Sequence, residues 1–274
     1  MKKNKTKAIV IIAIICVVGG SILLGAGFAM GGDINTMHIG KDNTNWWPFE
    51  ASLGINVLEQ NEYTDNMTDR WEMSLHQDTQ LSIEMDLGDI RIKAGDEAKI
   101  KFYNIKESEV TTKLDKTKRE IKVKRPGIHH NVNNARMEIT LPKNELYDLE
   151  VDNKLGDINI RELKFNKLDI KTNMGDISMQ DVQSEDTDVN NDCGDVKMFG
   201  LFKGETSVEN KLGDIKMEIN GDEQTFDFDV ENKLGDTKIQ DRNYEFKSNI
   251  KEKHGNANRL KIEGHLGDIT VNFR

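Results

Sequence analysis

The sequence predicts an all-β chain: a right-handed parallel β-helix, or solenoid-like repeat domain, after one N-terminal transmembrane helix. Three observations carry this expectation. A phrase of the form apolar-x-apolar-x-Asn-Lys-Leu-Gly-Asp recurs, nearly verbatim at 151–160 (VDNKLGDINI), 208–217 (VENKLGDIKM) and 230–239 (VENKLGDTKI). Its glycines at 156, 175, 194 and 213 are 19 residues apart, and a short apolar phrase at constant period marks a stacked repeat architecture. Finally, residues 8–32 run for 25 residues without a charge, whereas about 20 suffice to cross the hydrocarbon core of a bilayer.

Four domains follow in order. Residues 1–7 form a tail carrying Lys2, Lys3, Lys5 and Lys7, which the positive-inside rule keeps in the cytoplasm. Residues 8–32 are the anchor, and the rest of the chain is then extracytoplasmic. A signal peptide cut near Gly27-Phe28-Ala29 is the competing reading, but a secretory apolar region is usually only about 7–15 residues long. Cys16 follows Ile14-Ile15, which does not suit lipoprotein processing. Beyond residue 32 there are 34 basic and 48 acidic residues, a net charge of −14. That balance disfavours nucleic acid, whose phosphates need clustered Lys and Arg, and it disfavours docking onto anionic lipid. Cationic partners and divalent metals stay open. The only exported cysteine, Cys193, occupies a repeat position filled elsewhere by Leu or Met and reads as a small buried hydrophobe. No disulfide framework is possible in the exported part.

Residues 33–80 read as an irregular juxtamembrane or capping segment. It holds all three tryptophans, Trp46, Trp47 and Trp71, with Trp46-Trp47 expected to plug the end of the domain and a short helix expected over 65–73. Residues 81–274 are the repeat domain. Leu81, Ile83 and Met85 alternate before the first Gly-Asp at Gly88-Asp89, and alternation continues at Ile100/Phe102, Ile121/Val123 and 137–141. Period-two patterns of this kind are half-buried strands.

With each glycine at position zero, positions −7, −5 and −1 are apolar in most copies, and after it positions +2 and +4. The inward parity therefore switches across Gly-Asp. Side chains in a strand alternate faces, so such a switch needs a bend. Gly88, Gly156, Gly175, Gly194, Gly213, Gly235 and Gly267 are the expected structural turns, since glycine supplies the backbone freedom and the following Asp can bond nearby N–H groups. Position +7 (Leu163, Val182, Leu201) is apolar again and suggests a third short face. The count is eight rungs in chain order, about 40 Å long at a strand spacing of 4.8 Å. It includes a degenerate copy at His254-Gly255-Asn256 and a closing unit at Gly267-Asp268. The 68 residues between Gly88 and Gly156 suggest a flatter sheet leading into the stack.

Asn153, Asn191, Asn210 and Asn232 share the inward parity at position −3 and are expected to bond amide to amide along the stack. Asp157, Asp176, Asp195, Asp214 and Asp236, with Asp89 and Asp268, would line one ridge. Calcium favours several carboxylate oxygens, so the first five are calcium candidates. Local turn bonding, with screening by Lys154, Lys211 and Lys233, explains the same pattern without metal. His129-His130, His254 and His265 lack the partners and fixed spacing of a metal site. No G-x-S-x-G elbow or Cys–His arrangement is present, and no carboxylate pair stands out for glycoside cleavage. No catalytic residue and no cofactor is assigned.

The run 137–160 (MEITLPKNELYDLEVDNKLGDINI) and the recurring phrase resemble the DUF4097 putative-adhesin family of bacterial β-strand-repeat surface proteins. Anchored members resemble small surface proteins encoded with envelope-stress systems in Gram-positive bacteria. The resemblance covers about residues 81–274 and implies a right-handed solenoid-like fold at the cell surface with no enzymatic residues to carry over. The resulting expectation is a non-enzymatic, single-pass surface binding or scaffold module in envelope stress response or adhesion. Its partners would be the membrane through residues 8–32 and an envelope protein or cell-wall polymer, with oligomeric state open. The alternatives are a calcium- or cation-binding module and, further behind, an envelope-polymer hydrolase.

Overall fold

Half-buried strands bury their apolar faces only by stacking, and nineteen strands do so in one continuous sheet. The computed structural model describes residues 70–75, 79–125 and 135–274, all within one compact unit. The anchor, the tail and Trp46-Trp47 lie outside the described residues. Among the described residues no helix is long and apolar enough to cross a membrane.

Each rung has two arms joined at the Gly-Asp corner. The first arms stack as β6 (Lys118–Val123), β2 (Gln80–Met85), β8 (Leu146–Leu155), β10 (Lys164–Met174), the second halves of β11 (Ile177–Asn191) and β12 (Val196–Leu212), β18 (Asn258–Leu266) and β14 (Phe226–Asn232). All these neighbours are parallel. The second arms stack in the same order: β7 (Arg136–Pro142), β3 (Asp89–Gly95), β9 (Ile158–Arg161), the first halves of β11 and β12, β13 (Ile215–Ile219), β19 (Ile269–Phe273) and β15 (Thr237–Ile239). They too are parallel. The register aligns like with like, for example Val151 with Ile170, Ile170 with Val189 and Val189 with Val208. These columns are fully buried, as the parity predicts.

The order of rungs departs from chain order at both ends. Gly88 and its arms form a regular rung beside β8 and β9, not a flatter approach to the stack. The long insertion after it folds outward into an extra rung, β6 and β7, whose corner is Ala135-Arg136 and lacks the glycine. At the other end β18 and β19 slot between the Gly213 and Gly235 rungs. The last Gly-Asp in the sequence is therefore an interior rung rather than a closing unit. Gly255 is not a corner at all; it lies in the connection from β17 (Ser248–Glu252) to β18.

Antiparallel strands close both ends. β5 (Val110–Asp115) pairs with β6, while β4 (Lys99–Tyr103) pairs with β7 and carries β1 (Arg70–Ser74). β16 (Arg242–Tyr244) covers β15 and β17 (Ser248–Glu252) covers β14. Residues 70–73, expected at the end of a helix, are thus strand, because Trp71 gains a stacked contact with Phe102 (centroids 4.1 Å apart) and its Nε1 donates to the Ile105 carbonyl at 2.7 Å. Arg242 pairs with both Glu223 and Glu252, fastening the opposite cap. At the third face Leu163 and Val182 are buried, but Gly200 rather than Leu201 stands beside Val182, and the buried Phe202 aligns with Ser184 in the column of Phe165. The β-bulges at Gln180/Val182 and Ser184/Asp186 shift the register there.

Candidate functional site

The Gly-Asp corner is the most repeated arrangement of polar groups in the molecule. A Cβ on Gly175 would stand 2.1 Å from the carbonyl oxygen of Gly156, and one on Gly194 or Gly213 would meet the preceding rung's carbonyl as closely. The backbone at Gly175 has φ +148°, which side chains rarely adopt. Glycine is needed on two counts: the parity switch and the close approach of one rung to the next.

The Asp that follows binds across rungs, not within its own turn. Asp157 Oδ1 accepts the N–H of Asp176 at 2.9 Å, Asp176 Oδ1 that of Asp195 at 2.8 Å, and Asp195 Oδ1 that of Asp214 at 3.0 Å. The chain of bonds continues through Asp268 to Asp236, whose Oδ1 takes the N–H of Phe246 at 3.0 Å. Burial raises the Asp157 and Asp176 carboxyls above the usual carboxylate value, against the opposing pull of the N–H each accepts. All five calcium candidates therefore have one oxygen committed to the backbone. Among the described residues no group of three or more His, Cys, Asp or Glu side chains is placed to hold a metal ion.

The asparagines also differ from expectation. They bond to glycine carbonyls rather than to one another. Asn153 Nδ2 donates to Gly88 and Gly156 at 3.1 and 2.9 Å, and Asn191 and Asn210 both donate to Gly194 at 2.9 Å. A glycine carbonyl turned into the corner has no strand partner, so the amide supplies its donor. Met85, Thr172 and Gly264 occupy this column in the other three interior rungs.

Lys154, Lys211 and Lys233 do not screen the Asp ridge. They pair with Asp86, Asp192 and Glu263 on neighbouring rungs at 2.5, 2.6 and 2.6 Å; position −2 projects from the outer face of the first arm, so its nearest acids lie there. Lys197 does reach a corner carboxylate, Asp195, at 3.2 Å. Of the histidines, His129-His130 lie outside the described residues, and His254 and His265 have acidic neighbours, Glu252, and Glu209 and Glu263.

Position −1 is the feature that sequence reasoning missed. Its apolar character and odd parity suggested burial, yet Leu155, Met174, Leu212 and Leu266 are all exposed, and Cys193 is only half-buried. The residue stands at the corner itself, where the inward and outward faces meet. Backbone bonds fix the order of this column: Gly88 N–H donates to Leu155, Gly156 to Met174, Gly175 to Cys193 and Gly194 to Leu212. Gly213 then donates to Leu266, Gly267 to Leu234, and Gly235 to Phe246. Together these side chains make an apolar ridge beside the Asp column.

Residues 79–202 match the family model described as Toastrack DUF4097. Among solved structures, a "putative cell adhesion protein" from Clostridium sporogenes is similar at 16% identity and TM-score 0.42, covering 75% of this chain and 99% of that one. A "putative adhesin" from Bacteroides fragilis is similar at 8% identity and TM-score 0.29, covering 75% and 96%. Another "putative adhesin", from Parabacteroides distasonis, stands at 10% identity and TM-score 0.23, again covering 75% and 96%. No curated protein matches this chain. Likeness at these TM-scores carries no argument about function. The family match falls on the Gly-Asp rungs from Gly88 to Gly194.

Proposed function

We infer that this chain is a non-enzymatic, membrane-anchored extracytoplasmic module that offers its solenoid surface to a binding partner, in cell-envelope stress response or adhesion. One observation carries the reading: the repeated carboxylates and amides that could make a reactive site are committed to the corner's own hydrogen bonds. What remains available is a long surface repeating from rung to rung. The 25 uncharged residues at 8–32 and the four lysines before them support a single span with the tail inside. The coil is read as right-handed, the hand that twisted strands favour in parallel crossovers. The net charge of −14 beyond the span suits an envelope protein or wall polymer bearing cationic groups.

In-cell cross-linking of the full chain, followed by identification of what is captured, tests this. The expected result is an envelope component recovered with the wild type, together with digestion of the repeat domain by protease added outside intact cells. Turnover of a wall polymer by the purified chain, abolished by one carboxylate substitution, would overturn the non-enzymatic reading.

A further inference from the structure

Seven large hydrophobic residues are exposed among the described residues, and five of them, Leu155, Met174, Leu212, Leu266 and Phe246, lie on the corner ridge, at 38% to 62% exposure. The apolar side chains of seven rungs from Leu87 to Leu234, with Phe246 beyond them, span about 34 Å at a strand spacing of 4.8 Å. Apolar surface concentrated in one line, rather than scattered singly, marks an interaction site. The backbone beneath it is fully used by the rung-to-rung bonds, so an added strand has nothing to pair with and the contact is one of side chains.

We propose that this ridge joins two copies of the chain side by side, with their solenoid axes parallel. A second ridge of the same period is the partner that keeps every side chain in contact along the whole length. Charge fixes the direction. Along the chain the ridge residue lies between position −2 and the corner Asp, so its flanks are unlike: one is a column of Asp alone, the other is mixed, with Lys154, Lys211, His265 and Lys233 beside Asp86, Asn173 and Asp192, and its lysines paired with Asp86, Asp192 and Glu263. A two-fold axis perpendicular to the ridge would set Asp column against Asp column. An axis along the solenoid instead sets each Asp column against the partner's mixed position −2 column, with Lys154 opposite Asp157, Lys211 opposite Asp214 and Lys233 opposite Asp236; Asp86 and Asp192 then face Asp89 and Asp195, two like pairs where the perpendicular axis makes the whole Asp ladder like. Opposed ladders of like charge are unfavourable and matched ones steer association. The acidic chain also disfavours an anionic lipid surface as the occupant.

In this arrangement each ridge residue meets itself. The full-length chain carrying Cys16→Ser is therefore expected to form a covalent dimer through Cys193 on mild oxidation. The Leu87→Cys change, made in the Cys16→Ser, Cys193→Ser background, is expected to give a dimer linked at position 87, which an antiparallel contact would not. Leu212→Glu, at an exposed site the fold does not need, should lower the cross-link at position 87 by about tenfold or more while the circular dichroism spectrum and melting temperature are kept. Cross-linking at 193 but not at 87, or a yield unchanged by Leu212→Glu, would overturn the parallel contact. So would a ridge shielded from maleimide only when vesicles of phosphatidylglycerol are added, since that outcome makes lipid the occupant. None of these results bears on whether the solenoid also binds an envelope partner elsewhere.

Discussion

From Gly156 to Gly213 the rungs follow one another in chain order, one every 19 residues, each glycine packed on the last. At the ends this regularity stops. The N-terminal end places an insertion outside the first Gly-Asp rung, and the C-terminal end threads its final rung between two earlier ones. Both ends then turn antiparallel strands back over the outermost parallel pair. The difference shows that the phrase specifies a corner and not a place in the stack. Any copy can sit on any other, because each offers the same glycine carbonyl, the same Asp acceptor and the same inward aliphatic pair. Position in the stack is decided by connections: β14 and β15 must be outermost because β16 and β17 fold back onto them. The capped ends also leave only short, charged edges such as β5, which discourages end-to-end growth.

The contrast is broken most severely at an interior corner. Gly175→Ala puts a methyl 2.1 Å from the Gly156 carbonyl oxygen, which the Asn153 amide holds in place. The expected loss exceeds about 4 kcal/mol, seen as absence of a cooperative unfolding transition in circular dichroism. Next comes Asn210→Ala, which removes one of the two buried amide donors to the Gly194 carbonyl and leaves that of Asn191. Urea unfolding should show a loss of about 1–1.5 kcal/mol. In the connection near the C-terminal cap, Gly255→Ala meets nothing within 4 Å, although φ is +76°. Only the backbone preference is lost there, about 1 kcal/mol. If Gly255→Ala matched Gly175→Ala, the distinction between packed corners and end connections would be lost.

A finer test separates the acceptor from the charge at the corner. Asp176→Asn keeps an oxygen for the Asp195 N–H but removes a carboxylate that burial and the neighbouring Asp157 and Asp195 disfavour. A carboxyl whose folded pKa is raised binds its proton more tightly folded than unfolded. Its ionisation thus opposes folding at neutral pH, and the penalty fades as pH falls through the folded pKa. Asp176→Asn should be at least as stable as the wild type at pH 7, and that advantage should vanish in acid, whereas Asp176→Ala should be destabilised at both. Thermal melts at the two pH values decide it. The smallest effect is expected from calcium: with Oδ1 of the corner carboxylates held by the backbone, millimolar calcium should leave the melting temperature unchanged. A rise would return these residues to the role of ligands.

Much of the rung was legible locally. Val151, Ile170, Val189 and Val208 alternate with charged residues, and alternation alone assigns them inward. The phase change at Gly-Asp likewise announced a bend. Leu155 and Met174 were not legible in the same way, since a residue on the corner belongs to neither face and its parity predicts nothing about exposure. Asn210 was assigned inward correctly, but its partner is a carbonyl 16 residues earlier in the chain, and no spacing rule distinguishes that carbonyl from a neighbouring amide.

The sequence by itself determined what each rung is: two short arms, an aliphatic interior, and a bend at the glycine of Gly-Asp. These follow from side-chain alternation and backbone freedom, which act over a few residues. Only the tertiary structure decided the order of the rungs at both ends, the closing of those ends by antiparallel strands, and the outward ridge of position −1. Those depend on which of several equivalent phrases lie side by side, a choice made by connections and hydrogen bonds between residues as far apart as Asp214 and Asp268.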